Sequence, residues 1–109
     1  CDILEEARFA TLLARADGSD VSAEDALKAA ILGAVLTEGA QADLAVVSLR
    51  GVHQMPSYDP VTTLIFSSSG RDVIRTVIAG REVYRDGRVT TVDEDRLRAR
   101  IGEILAKSV

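Results

Sequence analysis

Apolar residues recur at helical spacing from about Ile3 to Ala16. Leu4, Ala7, Leu13 and Ala14 fall near one face, Phe9 and Leu12 widen it, and Glu5, Glu6, Arg8 and Arg15 cover the rest. Asp17-Gly18-Ser19-Asp20 closes that helix with a glycine and a polar loop. Ser22, followed three residues later by Asp25, forms a variant capping box and opens a second helix running to about Leu32. Its apolar positions, Ala23, Ala26, Leu27, Ala30 and Ile31, keep the helical period and are mostly small, which suits close packing against another element.

The pattern then changes. After a short loop from Gly33 to Gln41, the run from Asp43 to Leu49 reads as a strand that is apolar on both faces, which predicts a central or covered position. Arg50 to Pro60 is irregular, with Pro56 and Pro60 as breakers. Pro60 fits the first position of a short helix over Val61 to Ser67, while a strand over Thr62 to Phe66 satisfies the pattern nearly as well. Val73 to Ala79, Glu82 to Arg85 and Arg88 to Thr90 follow as strands. Gly80 and Asp86-Gly87 lie at the turns between them, predicting an antiparallel meander. Asp93, or Thr91 with Glu94, caps a last helix whose Leu97, Ile101, Ile104 and Leu105 line one face, an expected core stripe. Helices, then strands, then one helix make an α+β chain: two N-terminal helices, a small mainly antiparallel sheet and a C-terminal helix.

Composition narrows the class. A chain of 109 residues fits a single domain, residues 1–109. Aromatics are only 4% and Trp is absent, so aliphatic side chains must build the core. A net charge of -4 with no basic stripe argues against a nucleic-acid partner. No apolar run approaches the length of a membrane span, the first residues are acidic, unlike a signal peptide, and Cys1 is the lone cysteine. These features point to a cytoplasmic protein without disulfides. The chain begins with Cys1 rather than Met, which predicts residues upstream in the natural protein.

Candidate chemistry is sparse. A catalytic zinc needs about three His, Cys, Asp or Glu ligands. Here His53 and Cys1 are the only nitrogen and sulfur donors, and they are far apart. Asp17, Asp20 and Glu24 do not follow a calcium-loop spacing and read as solvated loop and cap residues. Ser67, Ser68 and Ser69 with His53 and Asp59 supply the residue types of a triad, without a nucleophile elbow to arrange them; His53 reads as a surface-loop residue. Ser67-Ser68-Ser69-Gly70-Arg71 could cradle an anion, although a plain turn with Arg71 paired to Asp72 or Asp59 explains it more simply. Arg96, Arg98 and Arg100, interleaved with Glu94, Asp95 and Glu103, read as a solvated helix face. No catalytic, cofactor-binding or metal-binding residue is therefore assigned.

Several longer stretches are more distinctive: Tyr58-Asp59-Pro60-Val61, Leu64 through Val73 with its Ser-Gly-Arg-Asp-Val end, Thr76 through Arg81, and Arg85-Asp86-Gly87-Arg88. Together they resemble the C-terminal region of the amidohydrolase superfamily, in the branch of 5-methylthioadenosine/S-adenosylhomocysteine deaminases and triazine-type chlorohydrolases. Glu38 through Leu44 resembles that family's Glu-Gly-Lys-x-Ala-Asp-Leu segment, and Asp2 through Arg8 the segment after its eighth barrel strand. The resemblance implies a (β/α)₈ barrel with a composite β-sandwich in the parent. Residues 1–34 would be the last barrel-associated helices and 35–109 the C-terminal share of the sandwich. It also implies a divalent metal such as zinc in the parent, with every ligand upstream of Cys1 and no cofactor in this chain.

Two departures stand out. Ala40 replaces the family lysine, and about a dozen residues are missing between the second helix and Glu38-Gly39, near Gly33. The resulting expectation is the C-terminal fragment of a metal-dependent aminohydrolase acting on non-peptide C–N bonds of a purine- or triazine-like substrate, not catalytic by itself. Exposed strand edges and apolar faces predict self-association or pairing with the missing N-terminal barrel portion. The alternatives are a free-standing structural or self-assembly module derived from that family, and a small independent hydrolase using His53 and Asp59.

Overall fold

A computed structural model describes residues 2–34 and 36–109. Helix α1 spans Ile3–Ala16 because Asp2 caps it: its carboxylate accepts from the Leu4 and Glu5 N–H groups. Glu5 and Glu6 in the first turn and Arg15 in the last suit the helix dipole. Helix α2, Ala23–Ala30, starts at the expected capping box, with the Ser22 hydroxyl accepting from the Asp25 N–H and the Asp25 carboxylate accepting from the Ser22 N–H.

The ambiguous segment is a helix, α3, Pro60–Ser67. Asp59 decides it: its side chain accepts from the Val61 and Thr62 N–H groups, and Pro60 sits where no donor is needed. The strand reading fails because it ignores this cap.

The chain forms two compact units. The first holds residues 1–40 and 47–73, so α3 joins α1 and α2. Its core is small: Ile65 is fully buried against Ala23 and Ala26, with Ala7, Leu27, Val61 and Phe66 partly buried around them. Alanines on the α2 face let α3 approach closely, and that is why the helix needs no large side chains there.

The second unit, residues 41–46 and 74–109, carries the sheet. Strands β1 (Leu44–Val47), β2 (Val73–Ile78), β3 (Arg81–Arg85) and β4 (Arg88–Val89) lie in that order, antiparallel. Asp86 and Gly87 both take left-handed backbone, φ 46° and 88°, as a two-residue hairpin turn requires. Ala79 and Gly80 form the other turn, and Asp43 Oδ1 accepts the Ala79 N–H at 2.6 Å. A register shift between Thr76 and Val77 interrupts the β2–β3 ladder.

Helix α4 spans Glu94–Lys107 with Asp93 as its cap. The Glu94 carboxylate also accepts the Val89 N–H, so the helix's first turn blunts the β4 edge. Arg98–Asp95 and Arg100–Glu103 pair along the solvated face as the charge pattern suggested.

Two burial expectations do not hold. Strand β1 is an edge of the sheet, and Ala45 and Val46 are exposed. The α4 stripe is not core either: Leu97, Ile101, Ile104 and Leu105 are each about half exposed or more. Apolar periodicity marks a face that wants cover; it does not show that the cover is present.

Candidate functional site

The polar groups that converge most closely lie in the first unit, around the turn between α3 and β2. Ser69 caps a single 3-10 turn, Gly70–Asp72, through a capping box in which the Asp72 carboxylate accepts the Ser69 N–H at 2.9 Å. A second 3-10 turn, Val52–Gln54, faces it. The Gln54 side chain is buried; its amide donates to the Ser48 carbonyl and the Ser68 hydroxyl, both at 2.8 Å, while Oε1 accepts the Gly51 N–H. Ser68 is also buried and donates onward to the Thr63 carbonyl.

His53 completes this contact. Its Nε2 lies 2.9 Å from Asp72 Oδ1 and 3.1 Å from Oδ2, with the imidazole about half exposed and the carboxylate largely covered. Gly51 makes the approach possible: a Cβ there would fall 2.6 Å from His53 Nδ1.

From the start of the chain, Asp2 and Arg8 reach the same turn. Asp2 Oδ2 accepts the Gly70 N–H at 2.7 Å while the same carboxylate caps α1. Arg8 donates to the Ile65 carbonyl at 2.9 Å and to the Ser68 carbonyl, satisfying groups that the end of α3 leaves free. The segments Asp2–Arg8 and Ser67–Asp72, singled out separately in the sequence, thus form one clasp.

Both carboxylates of the clasp titrate below the ordinary range. The Gly70 N–H is the main cause for Asp2 and outweighs partial burial; the α1 N–H groups and Arg8 add to it. For Asp72 the largest single effect is burial, which pushes upward. The Ser69 N–H together with the hydrogen bond and charge of His53 overcomes it.

This geometry is that of a brace. The Ser67–Arg71 loop does receive anions, as its sequence allowed, but they are the protein's own Asp2 and Asp72 carboxylates. Asp72 pairs with His53 and not with Arg71, whose N–H instead meets the Ser69 hydroxyl. Asp59 is occupied in capping α3, and its pKa is lowered chiefly by the Thr62 hydroxyl. Ser68 Oγ bonds Gln54 and Thr63, and Ser69 Oγ bonds Arg71, so no serine hydroxyl meets His53 among the described residues. A Ser-His-Asp triad is therefore not assembled. His53 is a surface-loop residue as read, but a tethered one.

The donor set does not fit a catalytic zinc. His53 and Asp72 already satisfy one another, and no third ligand joins them: the described residues contain no group of three or more His, Cys, Asp or Glu placed to hold a metal ion. Asp17, Asp20 and Glu24 are exposed around the α1–α2 connection and belong to no such group. Cys1 lies outside the described residues. No helix of the described residues is long and apolar enough to cross a membrane.

Sequence reasoning missed four members of the clasp, Asp2, Arg8, Gln54 and Asp72. Gln54 and Arg8 carry no local signal. Asp72 did carry one, since Ser69-x-x-Asp72 repeats the spacing read correctly at Ser22 and Asp25.

No family model matches the chain. Curated proteins do. The 5-methylthioadenosine/S-adenosylhomocysteine deaminase of Pyrococcus abyssi is 37% identical over 108 residues, covering 88% of this chain and 25% of that protein. The deaminase of the same description from Haloarcula marismortui is 35% identical over 120 residues, covering 99% of this chain and 28% of its own length. That from Nitratidesulfovibrio vulgaris is 35% identical over 69 residues, 63% of this chain. Among solved structures, a zinc-bound adenosine deaminase from Xanthomonas campestris superposes with a TM-score of 0.80 at 25% identity, over 98% of this chain and 28% of its own. An atrazine chlorohydrolase mutant from Arthrobacter aurescens, in complex with zinc and atraton, gives 0.73 at 28% identity, over 89% and 25%. The chain thus spans about a quarter of the length of the proteins it matches.

Proposed function

The chain belongs to the amidohydrolase superfamily, in the branch of 5-methylthioadenosine/S-adenosylhomocysteine deaminases and triazine hydrolases, and from that membership we propose that it is the C-terminal, non-catalytic part of a metal-dependent aminohydrolase. The parent hydrolyses a non-peptide C–N bond of a purine- or triazine-like substrate in the cytoplasm. A divalent metal such as zinc, held by residues outside this chain, supplies the activated water for that reaction. The role of residues 1–109 is to brace: the clasp fastens the chain segment entering at Asp2 to the turn that feeds β2. The half-exposed α4 stripe and the open edge of β1 are surfaces for the remaining part of the parent, or for a second copy when that part is missing. Residues 35–109 would then supply their share of a composite sandwich.

One observation carries this reading. Nearly all of the chain aligns with about a quarter of the Haloarcula and Xanthomonas deaminases, while its described residues bring together no group of three or more His, Cys, Asp or Glu placed to hold a metal ion. The test is a chimera in which residues 1–109 replace the matching quarter of the Pyrococcus abyssi relative. Zinc-dependent ammonia release from 5-methylthioadenosine by the chimera, and none by the isolated chain, is the expected result. Release of ammonia by the isolated chain would overturn it.

A further inference from the structure

The first unit leaves one long helical face open. Ala7, Ala10 and Ala14 of α1 face Ala26, Ala29 and Ala30 of α2 across an open apolar groove of about 430 Å³. Alanine on both walls lets a third helix settle between them, since small side chains allow helix axes to approach to about 8 Å. The rim of the groove is acidic, with Glu6 on one wall and Asp25 on the other. The two cations of α1 are engaged away from it. Arg8 binds the Ile65 and Ser68 carbonyls, and Arg15 binds the Val21 carbonyl and lies over the Phe66 ring.

Helix α4 in the second unit has the complementary surface. Its stripe of Leu97, Ile101, Ile104 and Leu105 is half exposed or more. At the angular step of an α-helix, Arg96, Arg100 and Lys107 border that stripe on one side and Arg98 on the other. Arg98 and Arg100 pair with Asp95 and Glu103 behind them, at exposed positions where such pairs are weak and exchange readily. The stripe runs about 12 Å from Leu97 to Leu105 and the α1 wall about 16 Å from Ile3 to Ala14, so the helix fits lengthwise.

The charge of the chain is divided in the same sense. Residues 1–40 and 47–73 carry ten acidic and five basic side chains; residues 41–46 and 74–109 carry seven and eight. Two copies therefore attract through unlike units, while two acidic units repel.

We infer that two copies of this chain associate with α4 of one lying in the α1–α2 groove of the other, its apolar stripe on the alanines and its basic borders beside Glu6 and Asp25. A reciprocal exchange of the two helices closes the pair as a dimer. This names the seat for the second copy invoked above and rests on that reading of the α4 stripe. It does not depend on the parent's activity, which the chimera tests separately.

Sedimentation of the 109-residue chain between micromolar and millimolar concentration tests it, together with two variants. Ala10→Arg fills the groove and Ile101→Asp spoils the stripe; both positions are exposed, so neither belongs to the buried core. The wild-type chain should dimerise as concentration rises, and each variant alone should associate at least about ten-fold more weakly. An equimolar mixture of the two variants should form a one-to-one pair. The Ile101→Asp copy keeps its groove and the Ala10→Arg copy keeps its α4. A wild-type chain that stays monomeric, a variant that dimerises as well as wild type, or a mixture that stays monomeric would overturn the inference. Should either variant not fold, amide exchange of the wild-type chain decides. Slowing with concentration at both Ala7–Ala14 and Leu97–Leu105 supports the seat; slowing at only one of them, or at neither, overturns it.

Discussion

Asp2 and Gly70 stand 68 positions apart in the sequence, yet the Asp2 carboxylate accepts the Gly70 N–H at 2.7 Å. The same side chain caps α1, so one residue sets both the start of a helix and the position of the turn before β2. Asp2→Ala should cost about 1–2 kcal/mol in denaturant unfolding, the loss of a cap plus a charge-assisted bond. Asp2→Asn, which keeps an acceptor, should cost about half as much. Equal losses for the two variants would show that the acceptor oxygen is not what matters.

Gly51 and His53 should behave as one element. Gly51→Ala drives the imidazole away from Asp72, because the new Cβ occupies the space beside Nδ1. Each single variant, Gly51→Ala or His53→Ala, is expected to cost about 0.5–1 kcal/mol, as a half-exposed pair allows. The double variant should cost little more than either alone. Full additivity in the cycle would separate the glycine from the His53–Asp72 contact.

Gln54 is the most sensitive position of the clasp. Its buried amide serves the Ser48 carbonyl, the Ser68 hydroxyl and the Gly51 N–H. Gln54→Leu preserves bulk but leaves the Ser48 carbonyl and the Gly51 N–H without the side-chain partner they have, and Ser68 with only its bond to Thr63, at a cost of about 2–4 kcal/mol. A thermal midpoint unchanged from the parent chain would mean water replaces the amide without loss.

Acid should loosen the clasp. Asp2 and Asp72 both titrate below the ordinary carboxylate range, Asp2 through its N–H donors and Asp72 because Ser69 and His53 outweigh burial. A depressed folded value gives stability that is complete above the unfolded value, near pH 4, and is lost as pH falls through the folded one. Unfolding free energy measured from about pH 5 to pH 2 should therefore fall. The fall should be shallower in the Asp2→Asn, Asp72→Asn double variant. The same slope in both proteins would assign the acid sensitivity elsewhere.

Local chemistry made most of the fold legible. The ends of α1 are fixed by Asp2 and by Gly18 with its left-handed backbone, and α2 starts at the box its sequence spells out. The α3 segment was ambiguous because a run of eight residues carries too little periodicity, and only the Asp59-Pro60 cap separates helix from strand. Burial was less legible. Apolar pattern showed that β1 and α4 have faces to cover, but not that β1 lies at the sheet edge and that the α4 stripe is half exposed. The clasp was harder still, since His53 meets Asp72 across 19 residues and Arg8 meets Ile65 across 57, distances at which no spacing rule operates.

The central proposal is that the metal of the parent enzyme is held outside this chain, whose described residues bring together no metal-binding group although solved relatives bind zinc. Calorimetric titration of zinc into the purified 109-residue chain tests it most directly. The expected result is no stoichiometric binding at micromolar concentration, and the same weak heat in wild type and His53→Ala. A one-to-one zinc site of submicromolar affinity, lost in His53→Ala, would contradict the account.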